Sequence, residues 1–157
     1  MENSALCQAL SQALQGRGWQ MATAESCTGG LIAARCTALA GSSLWFERGW
    51  VTYSNAAKTQ CLGVPADLIT VHGAVSEAVA RAMAEGAWRQ AAVQASLAVT
   101  GVAGPSGGSA DKPVGTVWFG WCVGGHVSSE RMCFAGDRQA VREATVEHAL
   151  QGLLQRL

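Results

Sequence analysis

Two short apolar runs in the sequence each end in a glycine-rich turn, and this arrangement limits the possible folds. Residues 19–24 lead through the ESCTGG turn at 25–30 into an Ala/Leu/Ile-rich stretch at 31–39. Residues 97–102 lead into a loop at 101–109 that has too many glycines for regular structure. The first run predicts a strand, a turn and a helix, and the second predicts a buried strand followed by a loop.

Three amphipathic patterns predict the longer helices. The first helix spans residues 4–15 and stops at Gly16, the second spans residues 77–92 behind Ser76, and the third starts near Asp137. In each of them apolar residues recur every three or four positions. The last helix is predicted to turn five side chains inward, namely Val141, Thr145, Ala149, Leu153 and Leu157.

Three further strands complete the predicted sheet. Residues 46–53 alternate as in a strand, and residues 114–123 and 127–134 predict a hairpin with a Gly-Gly turn. Short helical segments between the strands end at Gly63 and Gly73. A strand–helix alternation followed by a hairpin and a closing helix predicts an α/β fold, a three-layer α/β/α sandwich on a mixed β-sheet.

Composition excludes several classes of function. Eleven basic and eleven acidic residues cancel and the basic ones are scattered, which predicts neither nucleic acid nor an acidic membrane as a partner. The N-terminus lacks the pattern of a secretory signal, and the uncharged stretch at 90–110 is too polar for a membrane span. The six cysteines and three histidines lack the spacings of a metal site. We expect a cytoplasmic protein with free thiols, no metal and one domain over residues 1–157.

Serine, lysine and tyrosine form a candidate catalytic set. The chain has nine arginines but only two lysines, Lys58 and Lys112, and a single tyrosine, Tyr53. Tyr53 and Lys58 flank a predicted strand-to-helix junction and Ser26 ends another strand, where ligand sites of open α/β sheets collect. A neutral lysine can take the proton of a serine nucleophile, provided that burial or a cation such as Arg138 lowers the lysine pKa.

Several of these features have a second interpretation. Cys27 is a rival nucleophile, because a thiol at a helix N-terminus has a lowered pKa, or it is a small packed side chain. Glu25 is either a base or a negative charge that favours the helix dipole. The two glycine-rich turns either bind an anion or are tight connections with positive φ. The two lysines are either functional or left over from a bias towards arginine.

Six sequence blocks, in order, resemble the CinA C-terminal domain family. They are TAESCTGG (23–30), GSSLWFERGWVTYSNAAK (41–58), LGV (62–64), HGAVSE (72–77), TGVAGPSGGSADKPVGTVWFG (100–120) and FAGDRQAVR (134–142). The resemblance runs over nearly the whole chain. It implies an amidase that hydrolyses the carboxamide of nicotinamide mononucleotide to nicotinate mononucleotide and ammonia.

The resemblance also implies roles for single residues. Ser26 would be the nucleophile, Lys58 its base and Tyr53 an assistant that helps protonate the departing ammonia. Backbone N–H groups at 27–29 would hold the oxyanion. The nucleotide would be surrounded by Thr28, Gly29, Gly30, Asn55, Thr100, Gly101, Gly104, Gly108, Lys112, Gly115, Thr116 and Arg138. Arg138 would be the cation that binds the phosphate or acts in the active site.

The implied partner is a small-molecule nucleotide substrate, and the reaction needs neither a metal nor an organic cofactor. Ala-rich helix faces with exposed tryptophans also predict a homodimer. Two other functions fit the same residues. One is a Ser/Lys hydrolase of another amide, and the other is a nucleotide-binding module without turnover.

Overall fold

The computed structural model describes residues 3–157, and over this range five strands form one mixed sheet with six α-helices around it. The strands are β1 (Met21–Glu25), β2 (Phe46–Val51), β3 (Ala95–Gly101), β4 (Thr116–Val123) and β5 (His126–Cys133). The helices are α1 (Asn3–Gly16), α2 (Leu31–Thr37), α3 (Asn55–Leu62), α4 (Ala66–His72), α5 (Glu77–Ala91) and α6 (Arg138–Arg156). A 3₁₀ turn at Ser42–Leu44 precedes β2.

The order of the strands creates one edge at which three strands end together. The order is β2-β1-β3-β4-β5, and β1 pairs in parallel with both β2 and β3. Strands β4 and β5 continue the sheet as an antiparallel hairpin. The carboxyl ends of β2, β1 and β3 are therefore neighbours, which is where ligand sites of α/β sheets form.

Each face of the sheet is covered by three helices, which confirms the predicted three-layer α/β/α sandwich. Helices α1, α2 and α6 pack on one face, and α3, α4 and α5 pack on the other. Side chains of β3 alternate accordingly, because Leu97 and Val99 enter the first core and Ala98 enters the second. Four of the five α6 side chains predicted to point inward are fully buried, and Leu157 packs against the same core in a partly buried position.

The predicted element types are confirmed, and the differences lie at their ends. The strand predicted at 19–24 runs from Met21 to Glu25. The strand predicted at 46–53 stops at Val51, because Thr52 and Tyr53 turn towards the start of α3. The strand predicted from residue 114 begins at Thr116, after a turn in which the Thr116 N–H donates to Pro113 O.

None of the helices in the part of the chain that the structure describes is long and apolar enough to cross a bilayer. The six cysteines are free thiols, as predicted, and four of them are buried.

Gly86 permits the contact that sets the position of α3. A Cβ atom at Gly86 of α5 would lie 2.1 Å from the carbonyl oxygen of Leu62, the last residue of α3. Backbone cannot yield as a flexible side chain can, so only glycine allows α5 to approach α3 this closely.

We expect Gly86→Ala to lower the free energy of unfolding by about 1–3 kcal/mol through overpacking, although alanine favours a helix interior by ~1 kcal/mol. Thermal or urea unfolding measures the change. The control is Gly16→Ala, because a Cβ at Gly16 meets no atom within 4 Å. Equal unfolding midpoints for the two variants would contradict the close contact.

Candidate active site

Hydrogen bonds to β3 and to α2 hold the turn after β1, which contains Ser26. The Ser26 N–H donates to Val99 O of the neighbouring strand at 3.2 Å. The buried carboxylate of Glu25 accepts hydrogen bonds from the N–H groups of Ile32 (2.9 Å) and Ala33 (3.0 Å), and from the Thr28 hydroxyl. Glu25 thus has the second of its two predicted roles, because its oxygens are engaged at the start of α2, where the helix dipole favours negative charge.

Lys58 brings a buried amine to the Ser26 hydroxyl. Ser54 caps α3 by accepting from the Ala57 N–H at 3.0 Å, and Lys58 follows in the first turn of that helix. Its Nζ lies 3.1 Å from Ser26 Oγ and also donates to the carbonyl oxygens of Thr52 (3.1 Å) and Tyr53 (3.2 Å). The side chain is 1% exposed. Within residues 3–157 no carboxylate lies within 4 Å of this amine.

Burial lowers the pKa of Lys58 from its ordinary value of 10.5, and the neighbouring Cys27 opposes the shift. Burial was one of two predicted causes. The other, a cation such as Arg138, does not contribute to the lowered pKa of Lys58. A neutral amine has two N–H donors and one lone pair. With the two hydrogens on the carbonyls of Thr52 and Tyr53, the lone pair is free to accept the Ser26 proton.

Cys27 has the packing role that was its second interpretation. Its side chain belongs to the apolar core beneath α1 and α6. Burial, with a smaller contribution from the nearby Glu25 carboxylate, raises the pKa of the Cys27 thiol to about 12. The interpretation of Cys27 as a thiol with a lowered pKa is wrong, because the loss of hydration outweighs the lowering by its own backbone N–H and by the nearby Arg142 and Lys58. A thiolate is the reactive form of cysteine, so Cys27 is a poor nucleophile at neutral pH.

A cavity of about 280 Å³ opens above the Ser26–Lys58 pair. Small-molecule sites usually measure ~300–1,000 Å³, so this cavity is close to the lower end of that range. Eight of the predicted site residues line the cavity: Ser26, Tyr53, Asn55, Lys58, Thr100, Gly101, Gly104 and Arg138. The structure therefore gathers residues that follow three different parallel strands.

Tyr53 and Arg138 form the rim of the cavity. The Tyr53 side chain is 60% exposed, and its hydroxyl accepts a hydrogen bond from Arg138 Nη2 at 3.0 Å. Arg138 also donates to Gly104 O at 2.8 Å, which ties the first turn of α6 to the glycine-rich loop. Thr100 and Ala74 both line the wall of the cavity, and the Thr100 hydroxyl donates to Ala74 O at 2.9 Å.

The predicted binding residues at the first glycine-rich turn lie outside the cavity. Thr28 is buried and its hydroxyl bonds Glu25, so its side chain faces away from the cavity. Gly29 and Gly30 have φ values of 60° and 105° and form the turn itself. The Gly29 N–H, expected to hold an oxyanion, donates to Ser26 O at 3.1 Å. The Cys27 N–H contacts only the thiol of its own residue, and the Thr28 N–H has no acceptor among residues 3–157.

Four more predicted binding residues support the second loop instead of lining the cavity. Lys112 Nζ donates to His72 O at 2.9 Å, and the Thr116 hydroxyl donates to Pro113 O at 2.6 Å. A Cβ at Gly115 would lie 2.1 Å from Phe134 O, and one at Gly108 would lie 2.9 Å from Val114 N. These glycines permit close backbone packing, which a sequence pattern does not distinguish from ligand binding.

Sequence reasoning missed part of the site. Val75, Ala103, Ser106 and Gly107 also line the cavity. Arg142 donates from Nε to Cys27 O at 3.2 Å and from Nη2 to Thr28 O at 2.8 Å. The signal was available, because Arg142 lies four residues after Arg138 and therefore on the same face of α6.

Metal ligands do not cluster in the part of the chain described, since residues 3–157 contain no group of three or more His, Cys, Asp or Glu side chains placed to hold an ion.

Fold and site define an α/β protein with a buried Ser–Lys pair at the carboxyl ends of parallel strands. The sequence model of the CinA C-terminal domain matches residues 3–157, and the chain belongs to this family. It is 51% identical to "Nicotinamide-nucleotide amidohydrolase PncC" of Escherichia coli K12 over 151 residues, which are 96% of this chain and 92% of the relative. It is 58% identical to the protein of the same name from Pseudomonas putida over 136 residues, 87% of this chain and 85% of the relative.

Solved structures agree with these relatives. The competence damage-inducible protein A from Klebsiella pneumoniae superposes with a TM-score of 0.96 at 42% identity, covering 99% of this chain and 97% of that one. Amidohydrolases thus match this chain over most of their length, and the protein is an enzyme of the amidohydrolase class.

Proposed function

We propose that the protein is a nicotinamide-nucleotide amidase, which hydrolyses nicotinamide mononucleotide to nicotinate mononucleotide and ammonia. The observation that carries the proposal is the 3.1 Å contact between Ser26 Oγ and the buried Lys58 amine. The names of the relatives from Escherichia coli and Pseudomonas putida support the choice of substrate. The substrate is a small nucleotide, and no step of the proposed reaction uses a cofactor.

In the first step Ser26 Oγ attacks the carboxamide carbon and its proton passes to Lys58 Nζ. The carbonyl oxygen becomes an oxyanion, and we assign its stabilisation to the N–H group of Cys27, the turn residue after Ser26 that lines the cavity. The C–N bond then breaks, and the nitrogen leaves as ammonia with a proton that Lys58 returns with the help of Tyr53. The product of this step is an ester between Ser26 and the nicotinate carbonyl.

Water completes the reaction by attacking that ester. Lys58 takes a proton from the water, the ester C–O bond breaks, and the proton returns to Ser26 Oγ as the acid leaves. The absence of a carboxylate partner among residues 3–157 keeps Lys58 able to alternate between its neutral and charged forms. A carboxylate at contact distance would hold the amine in its charged form.

The rim suits the phosphate of a mononucleotide. Arg138 is a permanently charged guanidinium beside the loop that contains Ser106 and Gly107. Gly104 and Gly107 have φ values of 85° and 90°, a conformation in which successive backbone N–H groups can face an anion. We assign the 5′-phosphate to this end of the cavity and the carboxamide to the Ser26 end.

The same proposal includes one domain over residues 1–157, a cytoplasmic location and a homodimer. Free thiols fit a reducing compartment. Leu44 and Val51 are large apolar side chains that remain exposed around the edge strand β2, as expected where a second copy of the chain packs.

Ammonia release from nicotinamide mononucleotide tests the function most simply, with chelator present and no added metal. We expect turnover that survives Cys27→Ala and falls by at least ~10³-fold in Ser26→Ala, because only the serine is activated. Nicotinamide riboside is the control substrate, since loss of the phosphate contacts should raise KM. No turnover by folded wild-type protein would refute the proposal, and equal turnover of unrelated amides would favour the broader Ser/Lys hydrolase.

The pH dependence of kcat/KM tests the role of Lys58. Activity should rise with pH, because Lys58 must lose its proton before it can accept that of Ser26, and burial places the midpoint below 10.5. The folded state binds fewer protons than the unfolded chain between the two pKa values, so the free energy of unfolding also rises with pH there.

Lys58→Arg is the matched variant for this profile. Arginine keeps the positive charge but does not deprotonate, so we expect activity to fall by ~10²–10⁴-fold at every pH. A wild-type profile that is flat, or that rises only at or above pH 10.5, would contradict the role of Lys58.

A further inference from the structure

Arg142 holds the turn that follows Ser26 from a helix more than one hundred residues away in sequence. Its Nε donates to Cys27 O at 3.2 Å and its Nη2 donates to Thr28 O at 2.8 Å. Over residues 3–157 no carboxylate lies within 4 Å of this guanidinium. Its charge is therefore directed at two backbone carbonyls, and such charge-assisted bonds are stronger than neutral ones.

Holding a carbonyl also fixes the amide on the other side of the same peptide bond. In a trans peptide the N–H points opposite to the C=O, so the bond from Arg142 to Thr28 O sets the direction of the Gly29 N–H. The Gly29 N–H holds Ser26 O at 3.1 Å, which in the same way sets the direction of the Cys27 N–H at the wall of the cavity. In the described chain the Cys27 N–H contacts only the thiol of its own residue.

We propose that Arg142 is a positioning residue for the oxyanion site, which it keeps in place by holding the Cys27 and Thr28 carbonyls. This inference rests on the proposed function only in requiring that Ser26 attacks a carbonyl. Fixed donors stabilise an oxyanion without reorganising during the reaction, whereas a free turn must first be ordered. Arg142 touches neither Ser26 nor the reacting atoms, so its effect is transmitted through the two peptide groups.

The alternative is that Arg142 merely connects α6 to the segment before α2. A second connection between these helices provides the matched control. Arg35 of α2 donates to both carboxylate oxygens of Glu143 on α6, at 2.8 and 2.9 Å. Arg35 and Arg142 thus tether the same two parts of the chain, but only Arg142 holds the carbonyls beside Ser26.

The experiment compares Arg142→Gln, Arg142→Lys and Arg35→Gln with wild type in the full chain. We measure kcat and KM for ammonia release, the unfolding midpoint, and the rate at which p-nitrophenyl acetate acetylates Ser26. In that probe reaction Ser26 Oγ bonds the acetyl carbon, the ester C–O bond breaks, nitrophenolate leaves and the serine proton passes to Lys58.

Arg142→Gln should lower kcat and the acetylation rate by ~10²–10³-fold, the usual effect of losing an oxyanion donor, while KM stays within about threefold. Arg142→Lys should restore part of kcat, because an ammonium can hold one of the carbonyls. Arg35→Gln should keep both rates within about twofold of wild type. If Arg142→Gln does not fold, the test is the comparison of Arg142→Lys with Arg35→Gln. The inference then predicts a lower kcat for Arg142→Lys than for Arg35→Gln.

Three results would overturn the inference: unchanged rates in both Arg142 variants, equal losses in Arg142→Gln and Arg35→Gln, or a loss confined to KM. Failure of the proposed function gives a different result. Wild type would then release no ammonia from nicotinamide mononucleotide, while acetylation of Ser26 would still depend on Arg142. If Ser26 of wild type is neither acetylated nor active in ammonia release, both proposals are refuted.

Discussion

The burial of one lysine amine is the constraint on which the rest of the site depends. Lys58 Nζ is removed from water without a carboxylate partner among residues 3–157, and it is held by Ser26 Oγ and the carbonyls of Thr52 and Tyr53. Those carbonyls are available because β2 ends at Val51 and the chain turns into α3. The free energy that desolvation costs the charged form appears as a lowered pKa, and a lowered pKa is what a base for serine needs.

The two faces of the sheet supply different parts of the chemistry. Helix α3 on one face brings the base, Lys58, and α6 on the other face brings Arg138 to the rim and Arg142 to the turn. Ser26 stands between them at the end of β1. Because β1 pairs in parallel with both neighbours, the loops that follow the three strands meet at one edge. The packing of helices on both faces therefore determines the distances within the site.

The sequence predicted the element types well, because these depend on local periodicity, and the rarity of lysine and tyrosine singled out residues that the structure brings together at the cavity. Its errors came from features that depend on distant contacts. The sequence pattern places Gly115 in a binding loop, yet a glycine is needed at this position because the backbone of Phe134 approaches too closely for a side chain. For Cys27 the sequence left an activated thiol and a packed side chain both open, and the core contributed by other elements decides for packing and raises its pKa to about 12. Arg142 was not singled out because its partners lie 114 and 115 positions earlier.

The pKa of Lys58, on which its role as a base depends, can be measured because the chain has only two lysines, Lys58 and Lys112. Labelling lysine with ¹³C at Cε gives two NMR signals, and Lys112→Arg identifies the one from Lys58. A pH titration of the folded protein should show Lys58 losing its proton below its ordinary pKa of 10.5. A Lys58 signal that titrates at or above 10.5 would contradict the role of Lys58 as a base, because the amine would then remain charged when Ser26 has to give up its proton.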